Sequence, residues 1–204
     1  MGVCSSALPS RVRLKVMDST VTRLDRRLRA RDLDSLPHEW DTRYELIAGV
    51  LHMSRRPSFE HQAFIGRLLA RIAPAVFEAQ GHVVPEPGLV WDDEGEDNVA
   101  PDLVVLLRVP PPRRGEKLRA CPEIVVEVIS EGEAGRRRDL VEKRDLYLRR
   151  GALEYWIVDL AAQTLLRLIR SADAWQEERL GPSDHLSTPL LPRWDGVVLA
   201  DLFD

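Results

Sequence analysis

A chain of 204 residues with 44% apolar and 30% charged content can bury one full core, and it suits a single domain with a tail better than two domains. No apolar run approaches the roughly 20 residues that a membrane span needs, so no membrane partner is expected. The formal charge of −4 is uneven: residues 1–31 hold eight basic groups against Asp18 and Asp25, a balance of +6 that leaves −10 for the rest.

A basic arm over residues 1–30 therefore precedes an acidic body over 31–204. Such an arm either holds nucleic acid electrostatically or is a solvated leader. The two cysteines, Cys4 and Cys121, lie in unlike contexts, one in the polar arm and one entering an apolar strand. A disulfide framework is not expected, and with no secretory signal in view the cytoplasm is the expected compartment.

The predicted elements begin with a short helix over 31–36, stopped before Pro37 because the residue preceding proline is pushed out of helical space. Two short apolar runs around Ala48-Gly49 predict a hairpin over 44–53. Phe64, Ile65, Leu68, Leu69, Ile72 and Val76 recur at helical spacing, which predicts a long core helix over 60–80 that Pro74 should kink or divide. Residues 83–91 read as a strand interrupted by Pro85 and Pro87, hence an edge strand. An acidic loop over 92–98 leads to a strand over 102–107, and a loop rich in proline and arginine follows over 110–116. The run 124–129 is apolar on both faces apart from Glu127, as in a strand buried inside a sheet. A helix over 136–150 ends at Gly151. A buried strand over 155–159, a hairpin of 165–169 with 175–179, and short apolar pieces at Leu190 and 197–203 complete the chain. There are no internal repeats. The order predicts an α/β fold, a mixed sheet flanked by helices.

Chemistry concentrates around Glu127. Its side chain faces the same way as Val125 and Ile129, because strand side chains alternate. An ionised carboxylate in those surroundings costs several kcal/mol unless a cation or metal compensates it. Leu140, Lys143 and Tyr147, spaced by three and four, share the helix face expected to lie on the sheet. Lys143 is thus expected to point at the layer that holds Glu127. It is one of only three lysines (Lys15, Lys117, Lys143) among twenty-nine basic residues, so arginine is used almost everywhere else a positive charge is wanted. Asp102 follows Pro101 at the start of its strand. If the two strands are neighbours, Asp102 and Glu127 can share a hard divalent cation, with a nearby ammonium stabilising transition-state charge in phosphodiester cleavage. A structural ion pair between Lys143 and Glu127 explains the same pattern.

Tyr44-Glu45-Leu46-Ile47 before Gly49, His61-Gln62, Pro101-Asp102, Val126-Glu127-Val128-Ile129-Ser130, Arg138-Asp139, Lys143, Tyr147, Gly151 and Glu154-Tyr155-Trp156-Ile157-Val158-Asp159 occur in that order. In this order the motifs resemble the Uma-two family of restriction-endonuclease-type proteins, within the PD-(D/E)xK nuclease superfamily, over residues 30 to 204. The resemblance implies a restriction-endonuclease-like core and a Mg²⁺ site (Mn²⁺ as an alternative) held by Asp102 and Glu127. The superfamily lysine two residues after the glutamate is replaced by Ile129, and Lys143 matches the place to which the family moves it. By the same resemblance Glu45 is a further carboxylate of the site, and His61 contacts water or phosphate; a lone histidine near a helix start is otherwise a capping or surface residue. Tyr147 and Trp156 are expected to support the site by packing. Two positions depart from the family pattern. Ala48 stands where the hairpin carries aspartate, and Glu131-Gly132-Glu133-Ala134-Gly135 replaces Pro-Ser, bringing two acids that would oppose DNA.

The leading expectation is a Mg²⁺-dependent DNA endonuclease acting as a homodimer. The homodimer rests on the resemblance and on the apolar C-terminal pieces. A catalytically inactive nuclease-fold module that binds nucleic acid or protein is the alternative. A small-molecule enzyme is disfavoured, since no glycine-rich phosphate loop follows a strand. His38, His52, His82 and His185 lack zinc-ligand spacing, and Arg136-Arg137-Arg138 is either a phosphate-steering patch or a solvated turn.

Overall fold

The computed structural model describes residues 27–37, 40–129 and 132–203. The basic arm up to residue 26, with Cys4, lies outside the described residues, as do His38, Ser130 and Glu131. The last residues assigned to the arm are packed against the body: Leu28 is buried with Leu46 and Leu51, and a 3-10 helix follows over Ala30–Ser35.

Strands β1 (Thr42–Ile47) and β2 (Val50–Arg55) form the expected hairpin, with Ile47 opposite Val50 and Ala48-Gly49 as the two-residue loop. Both loop residues have positive φ, 49° and 75°, as a tight turn matching strand twist requires. Gly49 also has no room for a side chain, because a Cβ there would sit 2.9 Å from that of Arg27.

Helix α1 (Phe59–Glu78) starts where the Ser58 hydroxyl accepts the His61 backbone N–H, and it buries Phe64, Ile65, Leu68, Ile72, Ala73 and Val76. It runs undivided past Pro74. The apolar stripe continues on both sides of the proline, so packing outweighs the loss of one backbone hydrogen bond.

The main sheet has six strands in the order β3-β4-β5-β6-β7-β8. β3 (His82–Pro85) is an edge strand as expected but ends at its first proline, and Leu89 makes only isolated bridges to Val99 and Leu118. β4 (Leu103–Leu106), β5 (Ile124–Val128), β6 (Glu154–Asp159), β7 (Thr164–Ser171) and β8 (Ala174–Leu180) follow. Only β5 and β6 pair in parallel, which requires a crossover between them. The crossover is α2 (Gly132–Arg137), a π-helical stretch over Arg138–Glu142, and α3 (Lys143–Arg150), closed by Gly151 at φ 98°. The helix therefore starts earlier than 136, and residues 132–135 of the acidic insert lie on its first turn.

Alternation along β5 feeds two cores. Ile124, Val126 and Val128 join α1, while Val125 joins Leu146 and Tyr147 of α3. The tail forms β9 (His185–Leu186), β10 (Val197–Val198) and α4 (Ala200–Phe203), and it buries Leu186, Leu191, Trp194, Val197, Leu199 and Leu202 on the α1 side. Those apolar C-terminal pieces are thus used by the protein's own core, and most of the apolar surface advanced for a homodimer is already covered. Among the described residues no helix is long and apolar enough to cross a membrane.

Candidate active site

Sheet register places the two carboxylates. β4 and β5 are antiparallel with Leu103 opposite Val126, so Asp102, one residue outside β4, stands opposite Glu127 on the same face. Asp102 Oδ2 accepts the Val128 N–H at 2.8 Å. On the crossover, Lys143 points inward as its helical phase predicts, and its Nζ lies 2.7 Å from Glu127 Oε1. The β1 strand brings in the third acid: Glu45 Oε1 accepts the Ala100 N–H at 3.0 Å and lies 3.0 Å from Lys143 Nζ. His61, in the first turn of α1, has its Nε2 3.2 Å from Asp102 Oδ2, a close contact that is not a well-formed hydrogen bond. Asp102, Glu127, Lys143, Glu45 and His61 therefore meet in one cluster.

Four residues complete it in ways the sequence did not single out. Arg43 Nη1 donates to Asp102 Oδ1 at 3.1 Å. Since residues two apart on a strand share a face, the placement of Glu45 carried a signal for Arg43 as well. Arg138 and Asp139 are buried together, Nε to Oδ1 at 3.2 Å, with Arg138 Nε 3.9 Å from Glu45 Oε2 and Asp139 Oδ1 3.8 Å from Lys143 Nζ. Arg138 is thus neither a solvated turn residue nor a free phosphate-steering group. Tyr147 does more than pack: its hydroxyl donates to Glu127 Oε1 at 2.9 Å. Trp156 does not reach the site, because it alternates to the other face of β6, where it stacks on Trp194. His52, opposite Glu45 on β2, is buried with Nε2 3.1 Å from Glu142 Oε2, and its pKa is lowered chiefly by burial.

The cluster holds more acid than base. Four carboxylates (Glu45, Asp102, Glu127, Asp139) face three permanent cations (Arg43, Arg138, Lys143), and all but Arg43 are buried. Burial, together with the neighbouring charges of Asp102, Glu45 and Asp139, outweighs Lys143 and raises the Glu127 pKa to about 8. Burial also opposes ionisation of Glu45, but Lys143, Arg43 and Arg138 outweigh it and hold that carboxyl at about 2. At Asp102 burial is overcome by His61, Arg43 and Lys143, which keep it well below the usual carboxylate range. Lys143 stays charged: burial is outweighed by Glu127, Glu45 and Asp139. The excess of acid is therefore relieved at Glu127, the carboxyl of the cluster that holds its proton most tightly.

Two carboxylates opposite one another across neighbouring strands are the oxygen donors that a hard divalent cation takes. Among the described residues no group of three or more His, Cys, Asp or Glu side chains is arranged to hold a metal. A cation here would use the Asp102 and Glu127 carboxylates and complete its shell with water or phosphate oxygens, the ordinary manner of Mg²⁺.

A mixed sheet flanked by helices is also the architecture of a solved structure from Anabaena variabilis ATCC 29413, described as "a putative nuclease belonging to DUF820". The two agree with a TM-score of 0.69 at 18% identity, over 86% of this chain and 97% of that one. The likeness shows that the two chains share a fold. Residues 30–200 match the Uma2 family, described as "Putative restriction endonuclease", and the chain belongs to that family. A comparison with curated proteins finds no match.

Proposed function

We propose that this protein is a Mg²⁺-dependent DNA endonuclease, with Mn²⁺ an acceptable replacement, whose site is Asp102, Glu127 and Lys143 supported by Glu45 and His61. The observation that carries the proposal is the cross-strand pairing of Asp102 with Glu127 under the Lys143 ammonium, 2.7 Å from Glu127. In this reading Asp102 and Glu127 hold the cation. The cation supplies charge to a phosphoryl oxygen and lowers the pKa of water. Lys143 stabilises the negative charge that develops at phosphorus, and Tyr147 orients the Glu127 carboxyl through its hydroxyl. His61 stands at the solvent side of the cluster, its side chain 14% exposed, where it can meet water or a phosphate oxygen.

The test is cleavage of duplex and single-stranded DNA with Mg²⁺, Mn²⁺ or chelator, by wild type, Asp102→Asn and Glu127→Gln. Cutting is expected from the wild type with metal, and loss on the order of a hundredfold or more is expected from either variant. Cutting unaffected by chelator, or retained by Asp102→Asn, overturns the proposal. One observation favours the alternative of an inactive binding module: Asp102, Glu127 and Lys143 are each no more than 3% exposed. Absence of cutting together with retained DNA binding would select it. We further propose a homodimer, which would present two sites to the two strands of a duplex. A monomer mass in sedimentation at micromolar concentration would refute that extension.

A further inference from the structure

Arg43 differs from the buried cations of the protein in how it is held. Arg167 is locked to Glu154 by two hydrogen bonds, Nε and Nη2, at 2.8 and 2.9 Å, and reaches Glu178 with its remaining nitrogen. Lys143 sits within 3.0 Å of two carboxylates and is 1% exposed. Among the described residues the Arg43 side chain makes a single hydrogen bond, the 3.1 Å contact to Asp102 Oδ1. Its Nη2 is buried without a hydrogen-bond partner among the described residues; Glu45 stands 3.9 Å from Nη2 and Glu86 3.9 Å from Nη1, both beyond hydrogen-bond reach. The side chain is 20% exposed, so it lies between the buried carboxylates and solvent.

Glu45, Asp102 and Glu127 all attract this guanidinium by charge, but with one buried nitrogen unmet it lacks the hydrogen bonds that fix Arg167 and Lys143 in place. What it contributes here is charge. Its target is Asp102, one of the two carboxylates assigned to the metal, and it occupies the Oδ1 oxygen of that carboxylate.

We propose that Arg43 is an exchangeable counter-ion that competes with the divalent cation for Asp102. In the metal-free protein its guanidinium neutralises Asp102. Metal binding displaces it toward solvent, so the protein takes up metal more weakly than its carboxylates alone would allow. The inference rests on the reading of Asp102 as a metal ligand, and the experiment separates the two.

Mn²⁺ is titrated by calorimetry, without DNA and at fixed ionic strength, into the full chain as wild type, Arg43→Gln, Arg43→Lys and Asp102→Asn. Arg43→Gln keeps a hydrogen-bond donor near Asp102 but removes the charge, and it should bind Mn²⁺ on the order of tenfold tighter. Arg43→Lys keeps the charge and should stay close to wild type. Asp102→Asn should lose binding. If Asp102→Asn loses binding while Arg43→Gln binds no tighter than wild type, the counter-ion inference is overturned and the metal site stands. If Asp102→Asn binds as well as wild type, the metal site falls and the inference with it, and absence of binding in every protein has the same meaning. A folding defect in Arg43→Gln is met by a measurement on the wild type. The side-chain N–H resonance of Arg43, assigned with Arg43→Lys, should shift on Mg²⁺ addition, and an unmoved resonance at saturating Mg²⁺ overturns the exchange.

Discussion

Lys143 is placed where its loss should cost fold stability as well as the proposed chemistry. It is buried between Glu127 and Glu45, so its removal leaves two carboxylates without their nearest cation. Lys143→Ala should lose cutting by a hundredfold or more and also lower the unfolding free energy by about 3–5 kcal/mol in urea titration. Arginine should not restore cutting, because a planar fork does not fit a pocket shaped around an ammonium. Glu127 makes a second expectation at this scale. Its folded pKa of about 8 lies above the usual 4.5, so between those values the folded protein holds a proton that the unfolded chain has released. Stability should therefore fall as pH rises through 4.5 to 8. Glu45 behaves oppositely: held at about 2, it contributes stability that is present above 4.5 and lost as pH falls toward 2. Urea midpoints at pH 3, 5 and 8 should show the alkaline decline in wild type and a flatter alkaline profile in Glu127→Gln, with the acid limb between pH 5 and 3 retained. A metal that displaces the Glu127 proton should raise the melting temperature more at pH 8 than at pH 6.

Single elements place the site residues, and two local features explain where reading them from sequence falls short. The π-helical stretch over Arg138–Glu142 breaks the 3.6-residue period of the crossover helix, which turns Arg138 and Asp139 inward. Regular periodicity still finds Lys143 and Tyr147, which lie on the ordinary α-helix beyond it, but reads Arg138 as the end of a charged surface run. At the hairpin, Ala48 occupies the left-handed region at φ 49°, where a Cβ is disfavoured. The aspartate that the family pattern carries there tolerates that region, as asparagine does, so the departure weakens a turn. Ala48→Asn should raise stability by about 1 kcal/mol, seen as a higher urea midpoint with unchanged slope. Cutting should be unchanged, because the Ala48 contact to the body is its backbone N–H donating to Asp97.

The whole molecule depends on the C-terminal segment. Leu186, Leu191, Trp194, Val197, Leu199 and Leu202 cover the sheet face shared with α1, and Thr188 donates to the buried Glu154. Burying each large apolar side chain contributes about 1.5–3 kcal/mol, so a chain ended at Gly181 uncovers more than a marginally stable domain can lose. Such a truncation should show no cooperative thermal transition, although it retains every proposed site residue.

Much of the fold was legible because it is local. Alternation along 124–129 marks a buried strand with Glu127 as its exception, spacing on the following helix sets Lys143 at the facing layer, and Gly151 marks the helix end. Periods of 2 and 3.6 fix which neighbours share a face whatever the rest of the chain does. What only the tertiary structure decided are the meetings of distant elements: the register that sets Asp102 opposite Glu127, the hairpin that delivers Arg43 to Asp102 across 59 residues, and the balance that leaves Glu127 near pKa 8. Those depend on docking and desolvation. A carboxylate's charge is set by every group packed around it, and no pattern along the chain states which groups those will be.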